Sequence, residues 1–185
     1  MNKLSHMLNG EWTEYSHSPK YMRDELTSGA IRLKAGLPPG EIEVLKKLLM
    51  HMEQQQPISI LYVLHTPRGE GDPGRYQSSG LSPEAVENFL VRFSSYLGKD
   101  ARFDLWLHST SSCATVAWDR HNILFTYELL EEFEAELQRI RFSKGEPLIP
   151  VPHTHHYREE CDADAAAVLS HFDWRKSGLR QEDEQ

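Results

Sequence analysis

Cysteine is scarce in this chain: among 185 residues it has only Cys113 and Cys161. The two stand far apart and in no paired spacing, so neither a disulfide framework nor a thiolate zinc centre is expected, and both thiols are expected to be reduced. Long apolar runs are missing as well. No stretch approaches the roughly 20 residues that a membrane-crossing helix needs. The segment from Met1 to Trp12 has no apolar core of signal-peptide length and no small-residue cleavage site. Together these absences predict a cytoplasmic setting without a membrane partner. Basic clusters are also lacking: 20 Lys and Arg against 28 Asp and Glu leave a net charge of −8. The cations are scattered, which argues against a nucleic-acid partner and in favour of solubility.

Several reaction-defining motifs are absent too. There is no helical His-Glu-x-x-His. The glycine-rich segment from Thr66 to Arg75 contains Gly69-Glu70-Gly71, but it is broken by Pro67, Pro73 and acidic residues, and no phosphate-cradling lysine follows. It reads as a mobile surface loop, with Arg68 and Arg75 as candidates to hold an anionic ligand or partner through bidentate hydrogen bonds.

What is present is a globular composition, 39% hydrophobic and 26% charged. The length suffices to bury about 70% of the unfolded surface. No repeat or low-complexity linker divides the chain, so one α+β domain over residues 1–185 is expected. Residues 1–36 lack sustained periodicity and read as an irregular arm or lead-in, and residues 181–185 as a flexible acidic tail.

After Pro38-Pro39-Gly40, the residues Ile42, Leu45, Leu48, Leu49 and Met52 recur at helical spacing, in a helix that ends before Pro57. The apolar run from Ile58 to Leu64 reads as a buried strand. Ser82 as N-cap and Pro83 at the first helical position open a second helix, with Val86, Phe89, Leu90, Phe93 and Leu97 on one face and Gly98 as its C-cap. Phe103, Leu105 and Leu107 alternate with Asp104, Trp106 and His108, as in a strand with two different faces.

Residues 113–118 and 123–127 return as strand patterns around the turn formers Asp119-Arg120-His121-Asn122, either as a meander or as one bent arm. Leu129, Leu130, Phe133, Leu137 and Ile140 mark a third helix whose glutamates are expected to be mostly solvated. Pro147 to Pro152 reads as an extended sheet-edge segment, and Ala165, Val168, Leu169 and Phe172 as a terminal helix. The order from residue 58 resembles a ferredoxin-like split β-α-β sandwich with a mostly antiparallel sheet and extra N-terminal and C-terminal helices. In that architecture the first two strands run parallel.

The candidate sites follow from side-chain chemistry. His153, His155 and His156, followed by Glu159 and Asp162, form a ligand set that zinc accepts, and an extended backbone points His153 and His155 to the same side. His65, His108 and His121 are candidates for outside ligands. If the first two strands run parallel, His65 and His108 end at one sheet edge near Cys113, which suggests imidazole bases beside a thiol nucleophile. The His153 cluster then lies at the opposite end. Trp106 offers amphipathic surface suited to a ligand or partner.

The expectation these features support first is a non-enzymatic binding or regulatory protein that engages a protein partner or a small ligand. The alternative is a zinc-dependent hydrolase built on the histidine cluster. A homo-oligomer subunit is the third expectation.

Overall fold

The computed structural model describes residues 2–52 and 57–184. Met1, the stretch between Met52 and Pro57 and the last residue of the expected acidic tail lie outside the described residues. Residues 1–36, expected to be irregular, form four strands: β1 (Leu4–Leu8), β2 (Glu11–Tyr15), β3 (Lys20–Glu25) and β4 (Ile31–Gly36). Two of them, β2 and β3, bury little. In β2 every residue but the last is exposed, and β3 buries only Tyr21. A half-solvated strand carries little hydrophobic periodicity for a sequence pattern to register.

The rest of the chain contributes α1 (Glu41–Met52), β5 (Ile58–Leu64), β6 (Gly74–Gln77), α2 (Pro83–Arg92), α3 (Ser94–Lys99), β7 (Phe103–Ser109), β8 (Thr115–Trp118) and β9 (Ile123–Tyr127). These are followed by α4 (Leu130–Arg139), β10 (Ser143–Lys144), β11 (His153–His155), α5 (Asp162–Leu169) and β12 (Arg175–Ser177). Nine strands make one mostly antiparallel sheet in the order β10-β3-β4-β9-β8-β7-β5-β6-β12, and a separate three-stranded sheet has the order β11-β1-β2. The mixed α+β class therefore holds, but the large sheet exceeds a ferredoxin-like fold.

The parallel direction expected of the first two strands is not found. Strand β5 lies directly against β7 and antiparallel to it, with Ile58 opposite Ser109 and Leu64 opposite Phe103. The reason lies in the glycine-rich segment, which is not a simple loop. It contains β6, which pairs antiparallel with β5 and carries the chain back to the Ile58 end before α2 begins. One added reversal inverts the direction in which β7 enters the sheet. His65 and His108 consequently sit at opposite ends of the β5/β7 pair.

Ser82 caps α2 as expected, its hydroxyl accepting from the Ala85 amide at 3.2 Å. The single helix expected to reach Gly98 is broken at Phe93, and Gly98 falls inside α3. Strands β7, β8 and β9 form a regular meander. Phe103, Leu105, Leu107, Val116, Trp118 and Leu124 on one face of this meander join α1, α2 and α4 in a single buried cluster. Asp104, Trp106 and His108 are left on the opposite face, half-buried. Glu134 and Glu136, expected in water, are buried. Glu134 accepts from Tyr21 and Arg23, and Glu136 from Arg139, so each buried charge has a cation beside it.

Arg102, fully buried, ties remote segments together. Its guanidinium donates to Asp100 at 2.8 Å, Glu70 at 3.0 Å, Asp162 at 3.0 Å and the Arg158 carbonyl at 2.9 Å. Glu70 pins the glycine-rich segment that the sequence had suggested was mobile, and its side chain is 1% exposed. Replacing Arg102 by Met strands two buried carboxylates without a counter-charge. The expected loss in urea unfolding is roughly 3–5 kcal/mol, and a loss below about 1 kcal/mol would contradict this account of the network.

Candidate metal centre

The turn between β8 and β9 is built by its own side chains. Asp119 accepts from the amides of His121 at 2.9 Å and Ile123 at 2.8 Å. Asn122 takes a left-handed backbone at φ 60°, which asparagine tolerates best after glycine. Its side chain is locked between the Trp118 indole, which donates to it at 2.9 Å, and Glu41, to which it donates at 3.0 Å. His17 donates through Nε2 to the His121 carbonyl at 2.8 Å. The chain at residue 17 passes so close that a Cβ on Gly36 would lie 2.9 Å from the His17 side chain, so that position needs glycine.

The small sheet docks on this turn. Lys3, wholly buried, places its ammonium 3.8 Å from the Trp118 ring centre and 4.5 Å from that of Phe103, and donates to the Asp119 carbonyl at 3.3 Å. The backbone of His156 bonds to Lys3 on one side and Ala101 on the other. Strand β11 pairs with β1 in the register His6 opposite His153 and Leu4 opposite His155.

This docking brings His153 and His155, on one side of β11, against His121 from the large sheet. One ligand nitrogen from each of the three lies within 4.8 Å of the others. Two tautomers follow from the partners. A carboxylate and a carbonyl can only accept, so His121 Nδ1 donates to Asp119 at 3.2 Å and His153 Nδ1 donates to the Pro150 carbonyl at 2.9 Å. Each ring is thereby oriented by an oxygen in the manner of metal-bound histidines. The Nε2 of His155 is buried and has no hydrogen-bond partner among the described residues. Burial, reinforced by the neighbouring imidazoles of His121 and His153, pushes its pKa down to about 4, so that it stays neutral.

Three imidazoles suit zinc, at about 2.0–2.1 Å from each nitrogen. Among the described residues no fourth His, Cys, Asp or Glu joins the group.

The other candidates are placed elsewhere. His156, on the opposite side of the strand, has Nε2 2.8 Å from the Ser5 hydroxyl. Asp162 is held by Arg102 and Arg68, and Glu159 is exposed on a 3-10 turn outside the group. His65 lies at the same sheet end as the His121 turn, its Nε2 2.9 Å from Asp104, whose second oxygen accepts from the Arg120 amide at 2.8 Å. The histidines of residues 65 and 153 are therefore not at opposite ends of the molecule. His108, at the far end, bonds Thr115 at 2.9 Å. Cys113 is exposed with φ 60°, and among the described residues no imidazole is hydrogen-bonded to its thiol. Arg68 pairs with Asp162 and Arg75 with Asp183, so both guanidinium groups already hold carboxylates.

His121 was legible only as one of three outside ligands. The turn that carries it was readable, but its distance from β11 was not.

No protein-family model, curated protein or solved structure matches this chain.

Two solution measurements follow. Burial lowers the Lys3 pKa to about 8 against the attraction of nearby carboxylates. The unfolded chain, whose lysine titrates at its ordinary value, thus binds more protons between pH 8 and about 10.4. Stability should rise with pH through that window, by on the order of 2 kcal/mol relative to Lys3→Met in urea unfolding; parallel curves for the two proteins would refute the assignment. Burial also pushes the Cys161 thiol up to about 11. At pH 8 iodoacetamide should modify Cys113 and spare Cys161 in the folded protein, as peptide mass mapping can establish.

Proposed function

We propose that this chain binds zinc through His121, His153 and His155 and uses the site to hydrolyse a small substrate. The observation that carries this reading is the convergence of three imidazoles from two different sheets, two of them oriented by Asp119 and the Pro150 carbonyl. Core packing would not require such a meeting, and a buried, unpartnered His155 Nε2 is costly without a ligand.

Two features favour catalysis over a purely structural metal. Structural zinc sites are closed by four protein ligands, whereas catalytic ones keep a position for water. The three imidazoles are also only partly buried, which leaves that position reachable. Zinc would supply a water acidified enough to act as hydroxide near neutral pH. The chain's own residues would hold the rings in place. The binding-protein role expected first from the sequence has one specific observation in its favour, the groove beside His121 described below.

Purified protein should carry about one zinc per chain by elemental analysis. His153→Ala/His155→Ala should lose it, while His156→Ala, which removes an imidazole outside the group, should keep it. Metal-free protein whose thermal midpoint does not move when zinc is added would sink the proposal. Zinc-dependent hydrolysis of 4-nitrophenyl acetate that disappears in His121→Ala would support a catalytic metal, and full metal occupancy without any such turnover would favour a structural one.

A further inference from the structure

Beside the metal cluster, the face of the large sheet away from α1, α2 and α4 carries a groove of about 360 Å³. That is the small end of the roughly 300–1,000 Å³ range of ligand pockets, sized for a small molecule and not a polymer. Its floor is Ala117 on β8, directly between Trp106 on β7 and Phe125 on β9: the cross-strand register sets Trp106 opposite Ala117 and Ala117 opposite Phe125. All three line the groove, as does His121 at the turn.

The spacing has a consequence. Strands two apart in a sheet lie roughly 9.6 Å apart. A planar ring needs about 3.5 Å on each face, or roughly 7 Å between its two flanking rings. A pair of aromatic side chains separated by one alanine-bearing strand therefore leaves a slot that one flat ring can enter and that a larger floor residue would fill. A cation sits beside each of these rings. Arg32, from β4, places its guanidinium 4.2 Å from the Phe125 ring centre, and Arg75, from β6, lies 6.0 Å from that of Trp106. Both cations have carboxylates of their own, Asp24 and Asp183.

The polar groups narrow the class further. Asp104, Asp119, Glu182 and Asp183 also line the groove, together with Arg32 and Arg120. The four carboxylates outnumber the two guanidinium groups, so the groove offers acceptors to ring and exocyclic N–H groups and disfavours a phosphate. From Ala117 the strand needs only two residues to reach Asp119, so a ring standing on Ala117 has its edge near the turn that carries His121.

We infer that the slot between Trp106 and Phe125, floored by Ala117, binds an uncharged nitrogen heteroaromatic ring of nucleobase size, as in a nucleoside, with one edge directed toward the His121 end. This deepens the zinc-hydrolase reading by naming its substrate class, and rests on that reading only for the chemistry at His121. The binding step can be measured without metal.

The test uses the full chain, first stripped of metal and then loaded with zinc. Adenosine, cytidine, AMP and CMP are titrated while tryptophan fluorescence and ligand-observed NMR are recorded. At least one nucleoside should quench fluorescence saturably in the metal-free protein, and its monophosphate should bind more weakly. Trp106→Ala and Ala117→Leu should each weaken binding about tenfold or more, in line with the loss of one stacking partner. Both variants should keep the zinc content of the wild type and a cooperative thermal transition. The inference is overturned if no nucleoside binds the wild type, if a monophosphate binds better than its nucleoside, or if binding survives unchanged in the folded Ala117→Leu variant. Failure of the slot would leave the zinc stoichiometry untouched. Failure of the zinc reading would leave nucleoside binding to the metal-free protein.

Discussion

The burial of two cations holds this architecture together. Arg102 gathers Asp100, Glu70, Asp162 and the Arg158 carbonyl around one guanidinium, and Lys3 slides its ammonium between Trp118 and Phe103 to reach the Asp119 carbonyl. Arginine suits the first position because its planar fork satisfies several oxygens at once and keeps its charge when desolvated. Lysine suits the second because its long apolar stem can be buried while the ring faces and a carbonyl receive its head. The first cation fixes the glycine-rich segment and the chain leaving β11. The second seats β1 on the end of the large sheet. Since β11 pairs with β1, His153 and His155 inherit their position from Lys3 and Arg102 together.

The histidine cluster follows from that docking. His121 belongs to a turn that Asp119 shapes locally through the His121 and Ile123 amides, while His153 and His155 belong to a short strand that has little stability alone. Neither half is a site. When the sheets meet, three imidazoles share one volume, and the same meeting removes water from His155 and holds it neutral. The groove beside it arises from a different rule. An antiparallel sheet covered by helices on one face leaves the other free, and Trp106, Ala117 and Phe125 happen to be aligned there by the β7-β8-β9 register.

Elements with one strongly apolar face were readable from the chain. The spacing in α1, the cap and proline opening α2, the run of β5 and the strict alternation of β7 each state their own structure, because burial of one face imposes a period on the residues. Strands β1 to β4 were not readable, since β2 and β3 bury little and β1, β3 and β4 gain their order from partners far along the chain. Strand β6 hid within a segment of glycines and prolines, and missing it inverted the expected relation of β5 to β7. Glu134 and Glu136 looked like solvated surface for the same reason: Arg23, more than a hundred residues before Glu134, is what makes its burial tolerable.

The sequence by itself determined the mixed α+β class, the helical cores, the shape of the 119–122 turn and the shared side of His153 and His155, all of which depend on residues a few positions apart. Only the tertiary structure decided which histidine completes the cluster, that His156 and Asp162 are engaged elsewhere, and that Trp106 faces Phe125 across an alanine. Those facts are set by strand register and by the docking of two sheets. Their energies come from contacts between distant residues, and such contacts leave no periodic trace in the chain.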